Sequence, residues 1–148
     1  DVFVVRGVEK RQRPNYLIWE EPKGPEVVIE LTSRTTREED IEDKYELYQR
    51  LRVSEYFLFD PLGDYMRPQL QGHRLFRGRY RPVAAVEGRL ASKVLGLHLE
   101  GRGRELRLYD PASGRWLPTP EERAVRAESE VERLRRELDA LRRRANGK

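Results

Sequence analysis

Apolar and polar positions change rhythm twice within the first sixty residues. Val27-Val28-Ile29 is an unbroken apolar run ending in Glu30, and Glu55-Tyr56-Phe57-Leu58-Phe59-Asp60 is a second, closed by Pro61. Both runs are rich in β-forming residues, and they predict strands over residues 26–32 and 55–60. Between them, residues 37–52 repeat with the period of an amphipathic helix. At about 100° per residue, Ile41, Tyr45, Leu47, Tyr48 and Leu51 share one arc. Glu38, Glu39, Glu42, Asp43, Glu46, Gln49 and Arg50 take the opposite face. Thr35 and Thr36 with Glu38 and Glu39 form two overlapping capping boxes at its start. Strand, helix and strand within about 35 residues make a βαβ unit, so the two strands should be parallel neighbours.

The rest of the chain extends this plan. Residues 2–5 read as a short buried strand, and residues 6–24 as a basic, Pro- and Gly-punctuated connection carrying Tyr16-Leu17-Ile18-Trp19. From Leu62 to Trp116 short apolar stretches at 74–76, 80–83, 94–99 and 105–109 lie between glycines and prolines, the last before a turn at 110–114. From Pro120 to about Ala145 a helix is predicted. Its Ala124, Ala127, Val131, Leu134, Leu138, Leu141 and Ala145 are spaced alternately by three and four, a coiled-coil seam. Glu130 and Glu137 then fall at g, and Arg135 and Arg142 at e. The expectation is an α/β domain over 1–117 and an appended helix over 118–148. That helix either pairs with a second chain or folds back on its own domain.

One residue breaks the helical pattern. Lys44 sits inside the apolar arc, four residues after Asp40. A lysine turned toward a core must snorkel out or meet an anion, and Glu30 at the end of the preceding strand is the candidate. Strand alternation puts Glu26, Val28, Glu30 and Thr32 on one face. Asp1, opening another strand, would bring a second carboxylate. Two carboxylates and a backbone carbonyl such as that of Leu31 make a partial oxygen cage for Mg²⁺, with water and a phosphate oxygen completing it. Lys44 would orient or help deprotonate a water, or stabilise developing negative charge. The bland alternatives are a strand-end acid paired with a neighbour, an Asp40–Lys44 pair along the helix, a core Tyr48 with its hydroxyl satisfied, and a Ser33 that caps the turn. Glu55 and Asp60, flanking their strand, are expected to be structural.

Composition narrows the chemistry. The chain has no cysteine, which excludes disulfides, thiolate zinc and a cysteine nucleophile. His73 and His98 lie in no ligand-spaced cluster, so any metal is held by oxygen, pointing to Mg²⁺ or Mn²⁺. No apolar run reaches membrane-spanning length, and nothing at the start resembles a signal peptide, which predicts a cytoplasmic protein. The net charge of +4 is uneven. Residues 1–65 carry 10 basic and 15 acidic side chains, residues 66–117 carry 11 and 4, and residues 118–148 carry 9 and 7. The basic middle suits a phosphate backbone, with Arg74, Arg77, Arg79 and Arg81 as candidate contacts, although such a series also suits a solvated hairpin.

From Asp1 to about Glu121 the chain resembles the Uma-type family of predicted endonucleases, within the PD-(D/E)XK, restriction-endonuclease-like superfamily. The resemblance rests on Asp1-Val2-Phe3-Val4-Val5, on Pro25-Glu26-Val27-Val28-Ile29-Glu30-Leu31-Thr32-Ser33, and on Thr35-Thr36, Asp40, Lys44 and Tyr48. It continues through Glu55-Tyr56-Phe57-Leu58-Phe59-Asp60-Pro61, Tyr80, Ser92, Leu95-Gly96-Leu97, Leu108-Tyr109-Asp110 and Gly114. It implies a restriction-endonuclease-like mixed β-sheet core with additional short antiparallel strands, Mg²⁺-dependent phosphodiester cleavage, and metal ligands at Asp1 and Glu30. The superfamily's usual lysine, two residues after the strand acid, is here Thr32, with Lys44 as its substitute. Family members carry a helix and strands before the aspartate, so the N-terminal part of that domain is expected to be missing from this chain.

The expectation is therefore a Mg²⁺-dependent endonuclease hydrolysing DNA by metal-activated water. Asp1, Glu30 and Lys44 are its catalytic set, and Ser33, Asp40 and Tyr48 stand behind them. The alternative is an inactive relative acting as a DNA-binding or dimerisation module, a homodimer through the C-terminal helix.

Overall fold

The computed structural model describes residues 2–32 and 43–146. The chain divides into two compact units, Asp1–Trp116 and Leu117–Lys148. In the first, a five-stranded sheet is built in chain order from β1 (Val2–Val4), β2 (Val27–Leu31), β3 (Glu55–Phe59), β4 (Leu70–Phe76) and β5 (Arg79–Pro82). β2 and β3 run parallel in the register Val27↔Glu55 to Leu31↔Phe59, and the other pairs are antiparallel. A parallel pair needs a crossover, and α1 (Lys44–Arg50) lies within it. The predicted capping boxes and the first part of that helix, including Ile41, fall outside the described residues.

A second, antiparallel sheet follows: β6 (Leu90–Ser92), β7 (Leu97–Arg102), β8 (Glu105–Asp110) and β9 (Arg115–Trp116). Side chains alternate along β2 and β3, and both of their faces are covered, which is why the two sequences are almost continuously apolar. On one face Val27, Ile29, Phe57, Phe59 and Leu70 pack against Leu90 and Leu99 of the second sheet. On the other, Val28, Tyr56, Leu58 and Tyr80 pack with Val53 and Met66, and α1 adds Tyr45 and Tyr48. The unit thus stacks helix, mixed sheet and antiparallel sheet. Two glycines make room for core aromatics: Gly72, the cross-strand partner of Phe57, would place a Cβ 2.8 Å from that ring, and Gly101 of the second sheet would place one 2.8 Å from Phe59.

Four expectations need correction. β1 is not buried: Val2 and Phe3 are half exposed because β1 is the sheet edge, and Phe3 meets Tyr16 edge-on instead of entering the core. On α1, Leu47 and Leu51 are exposed, and Gln49 turns inward because its side-chain oxygen accepts the Tyr80 backbone N–H at 2.7 Å. The predicted strand over 94–99 is a turn at its start. Lys93 and Val94 donate their N–H groups to Glu55, and Gly96 adopts φ +69°, so the chain reverses between β6 and β7. β9 was not expected at all. It pairs back on β8 across the Asp110 turn, where Asp110 accepts from Ala112 N and Ser113 Oγ.

In the second unit, α2 (Pro120–Asn146) runs without interruption. Thr119 Oγ1 accepts from Glu122 N at 3.2 Å and Glu122 Oε2 accepts from Thr119 N at 2.9 Å, a capping box with Pro120 at the first helical position. Among the described residues no helix is long and apolar enough to cross a membrane.

Candidate active site

Strand alternation and helix period bring the candidate residues together. Glu30 follows Ile29 on β2, so it faces α1 with Val28 rather than the second sheet. Lys44 and Tyr48 are four apart on α1 and therefore project from the same side. Lys44 Nζ donates to Glu30 Oε2 at 3.1 Å, and the Tyr48 hydroxyl donates to Glu30 Oε1 at 2.7 Å. The Tyr48 ring meets Tyr56 edge-on at 5.1 Å, which fixes the hydroxyl over the carboxylate. Glu30 is 1 % exposed, whereas the Lys44 side chain is 19 % exposed. Each Glu30 oxygen accepts one hydrogen bond among the described residues.

The other two buried acids are occupied differently. Glu55 lies on the opposite face of the sheet. It accepts from Arg74 Nε at 2.8 Å, from Ser92 Oγ, and from the backbone N–H groups of Lys93 and Val94 at 2.9 and 3.4 Å. These contacts tie β3 and β4 to the turn after β6, a structural role. Asp60, just past β3, accepts from the N–H groups of Leu62, Gly63, Tyr65 and Met66. Burial works against its ionisation, but the four donors together outweigh that and hold its pKa below the usual carboxylate range.

Asp1, Ser33 and Asp40 lie outside the described residues. Val2, next to Asp1, pairs with Ile29, next to Glu30. Thr32, two residues after Glu30, is buried with its hydroxyl 4.0 Å from Met66 Sδ. Among the four arginines, Arg74 is bound to Glu55 and to the Ala91 carbonyl. Arg77, Arg79 and Arg81 are exposed on the β4–β5 hairpin. Its turn, Arg77-Gly78, has φ of 51° and 81° at its two positions, the left-handed pair that matches the twist of a hairpin.

Sequence reasoning passed over two groups. Phe76 is half exposed, with the Arg77 and Arg81 guanidinium carbons 5.3 and 5.0 Å from its ring centre; an aromatic interleaved among arginines was its signal. His73 lies on the α1 side among Tyr45, Tyr56 and Tyr80, at ring separations of 5.0 to 6.2 Å. Its Nδ1 is buried with no hydrogen-bond partner among the described residues, and burial lowers its pKa. Burial likewise raises the pKa of Tyr80, whose hydroxyl donates to the Val53 carbonyl at 2.9 Å.

By donor type Glu30, an anionic oxygen ligand, suits a hard divalent cation. No group of three or more His, Cys, Asp or Glu able to hold a metal occurs among the described residues. Among the described residues Glu30 could therefore offer a cation one carboxylate and not a complete cage. A search of curated proteins finds no match to the chain. A family model, Uma2, described as "Putative restriction endonuclease", matches residues 1–107.

Proposed function

The chain belongs to the Uma2 restriction-endonuclease family, and from that premise we propose that it is a cytoplasmic, metal-dependent endonuclease acting on DNA. The observation that carries the proposal is the 3.1 Å contact between Lys44 Nζ and Glu30 Oε2, an ammonium and a carboxylate at the end of a parallel strand. Glu30 and Asp1 would hold Mg²⁺ or Mn²⁺, which when bound supplies charge neutralisation at the scissile phosphate and a more acidic water. Glu30 anchors that position from the sheet. Tyr48 holds one Glu30 oxygen through its 2.7 Å hydrogen bond. Lys44 supplies the positive charge that the superfamily usually carries two residues after the acid, where this chain has the buried Thr32. Its ammonium reaches the site from the helix and stabilises negative charge on phosphate or orients the attacking water. Arg77, Arg79 and Arg81 offer phosphate contacts; Arg74, committed to Glu55, does not. The chemistry is assigned to residues 1–117, with 118–148 as an appended helix.

A second reading, that the chain binds DNA without cutting it, draws on the 1 % exposure of Glu30. Plasmid nicking separates the two. With Mg²⁺ or Mn²⁺, the wild type should nick, a chelator should abolish nicking, and Glu30→Gln and Lys44→Met should each reduce it by roughly 100-fold or more, the scale of a lost transition-state charge contact. Equal nicking by all three proteins would refute the assignment. Salt-dependent DNA retention with no cleavage by the wild type would establish the binding reading.

A further inference from the structure

We infer that α2 joins two copies of this chain as a parallel, in-register coiled coil. The inference does not rest on the nuclease reading, since it uses only the second unit. With Ala124, Val131, Leu138 and Ala145 at a and Ala127, Leu134 and Leu141 at d, the seam runs three heptads along the 27-residue helix. Its large members are not covered: Val131, Leu134, Leu138 and Leu141 are 46, 49, 48 and 56 % exposed. A continuous stripe of this kind on a charged helix needs a matching apolar stripe.

The charges flanking the seam choose the occupant. In a parallel pair each g residue meets the e residue five positions later on the other strand. Here Arg123 meets Glu128, Glu130 meets Arg135, and Glu137 meets Arg142. All three are opposite in sign, and two-fold symmetry repeats each of them. An antiparallel pair would set g against g and e against e, bringing Glu130 against Glu137 and Arg135 against Arg142. Within one helix Arg133 already binds both g acids, Glu130 at 2.7 Å and Glu137 at 3.4 Å, so the interchain pairs share those carboxylates with it, while Arg136 binds Glu132 at 3.1 Å. Arg135 and Arg142 make no ion pair among the described residues, and they are the residues the second copy would engage. Alanine at three of seven seam positions makes the pair a weak one, with a dissociation constant on the order of micromolar.

Sedimentation equilibrium of the full chain tests this. The wild type should approach twice the monomer mass at roughly 100 μM, well above the expected dissociation constant. Glu130→Arg with Glu137→Arg, and separately Arg135→Glu with Arg142→Glu, should each weaken self-association by about 10-fold or more. An equimolar mixture of the two variants should restore the dimer, because every g–e contact again becomes attractive. Leu134→Asp with Leu138→Asp should be monomeric in any mixture. A monomeric wild type would overturn the inference, showing the seam to be covered within one chain. Charge variants that dimerise as well as the wild type, or a mixture that stays monomeric, would overturn the parallel register.

Discussion

The Glu30–Lys44 pair should be energetically lopsided, and its geometry says in which direction. Glu30→Gln keeps the side-chain volume and an acceptor for Tyr48, and it leaves Lys44 without its carboxylate. Because the Lys44 side chain is 19 % exposed, its ammonium can rotate toward water. The expected cost is then about 1–2 kcal/mol, near the value of a charge-assisted hydrogen bond. Lys44→Met instead leaves a carboxylate that is 1 % exposed and cannot reach water, so it should cost more, about 3 kcal/mol, the lower end for breaking a buried ion pair. Lys44 makes further contacts, so the pair itself is isolated by a double-mutant cycle, in which we expect a coupling of about 1–1.5 kcal/mol. Urea unfolding of the four proteins, followed by tryptophan fluorescence at constant m, supplies the numbers. The reasoning is refuted if Glu30→Gln proves the more damaging change, or if the two substitutions are additive within about 0.3 kcal/mol.

Other outcomes follow from single contacts. Burial lowers the pKa of His73 in the folded protein, so the unfolded chain binds the proton more readily. Its contribution is complete above the unfolded value of about 6.5 and is lost as pH falls from there toward the folded value. The urea midpoint should therefore drop between pH 7.5 and 5.5, and His73→Phe should flatten that slope; an unchanged slope would exclude His73 as its source. Gly101→Ala, with its Cβ 2.8 Å from Phe59, should destabilise by about 1–3 kcal/mol through overpacking. Gly24→Ala, meeting Ile18 at an ordinary 3.7 Å, is the control in the same urea titration. Thr119→Ala removes the acceptor for Glu122 N and should lower stability of α2 by about 1 kcal/mol, read as an earlier loss of ellipticity at 222 nm on heating.

What could be read from the linear chain was whatever depends on period. The two apolar runs, the helical repeat between them and the three–four spacing after Pro120 each follow from the geometry of a single element. They are enough to place β2, α1, β3 and α2 and to make β2 and β3 parallel. The Lys44 anomaly was legible for the same reason: a charge inside an apolar arc must snorkel out or meet an anion, and the preceding strand ends in one. Tertiary structure decided matters that depend on neighbours distant in sequence. β1 is exposed because no strand among the described residues pairs beyond it, although Val-Phe-Val alone reads as core. Gln49 turns inward because a backbone N–H from β5, thirty-one residues away, needs an acceptor. Glu55 and Glu30 look alike as strand acids, yet parallel register sends them to opposite faces of the sheet. One is saturated by Arg74, Ser92 and two amides, and the other is left facing a lysine and a tyrosine. Burial and hydrogen-bond satisfaction are sums over the whole fold, so no local pattern can supply them.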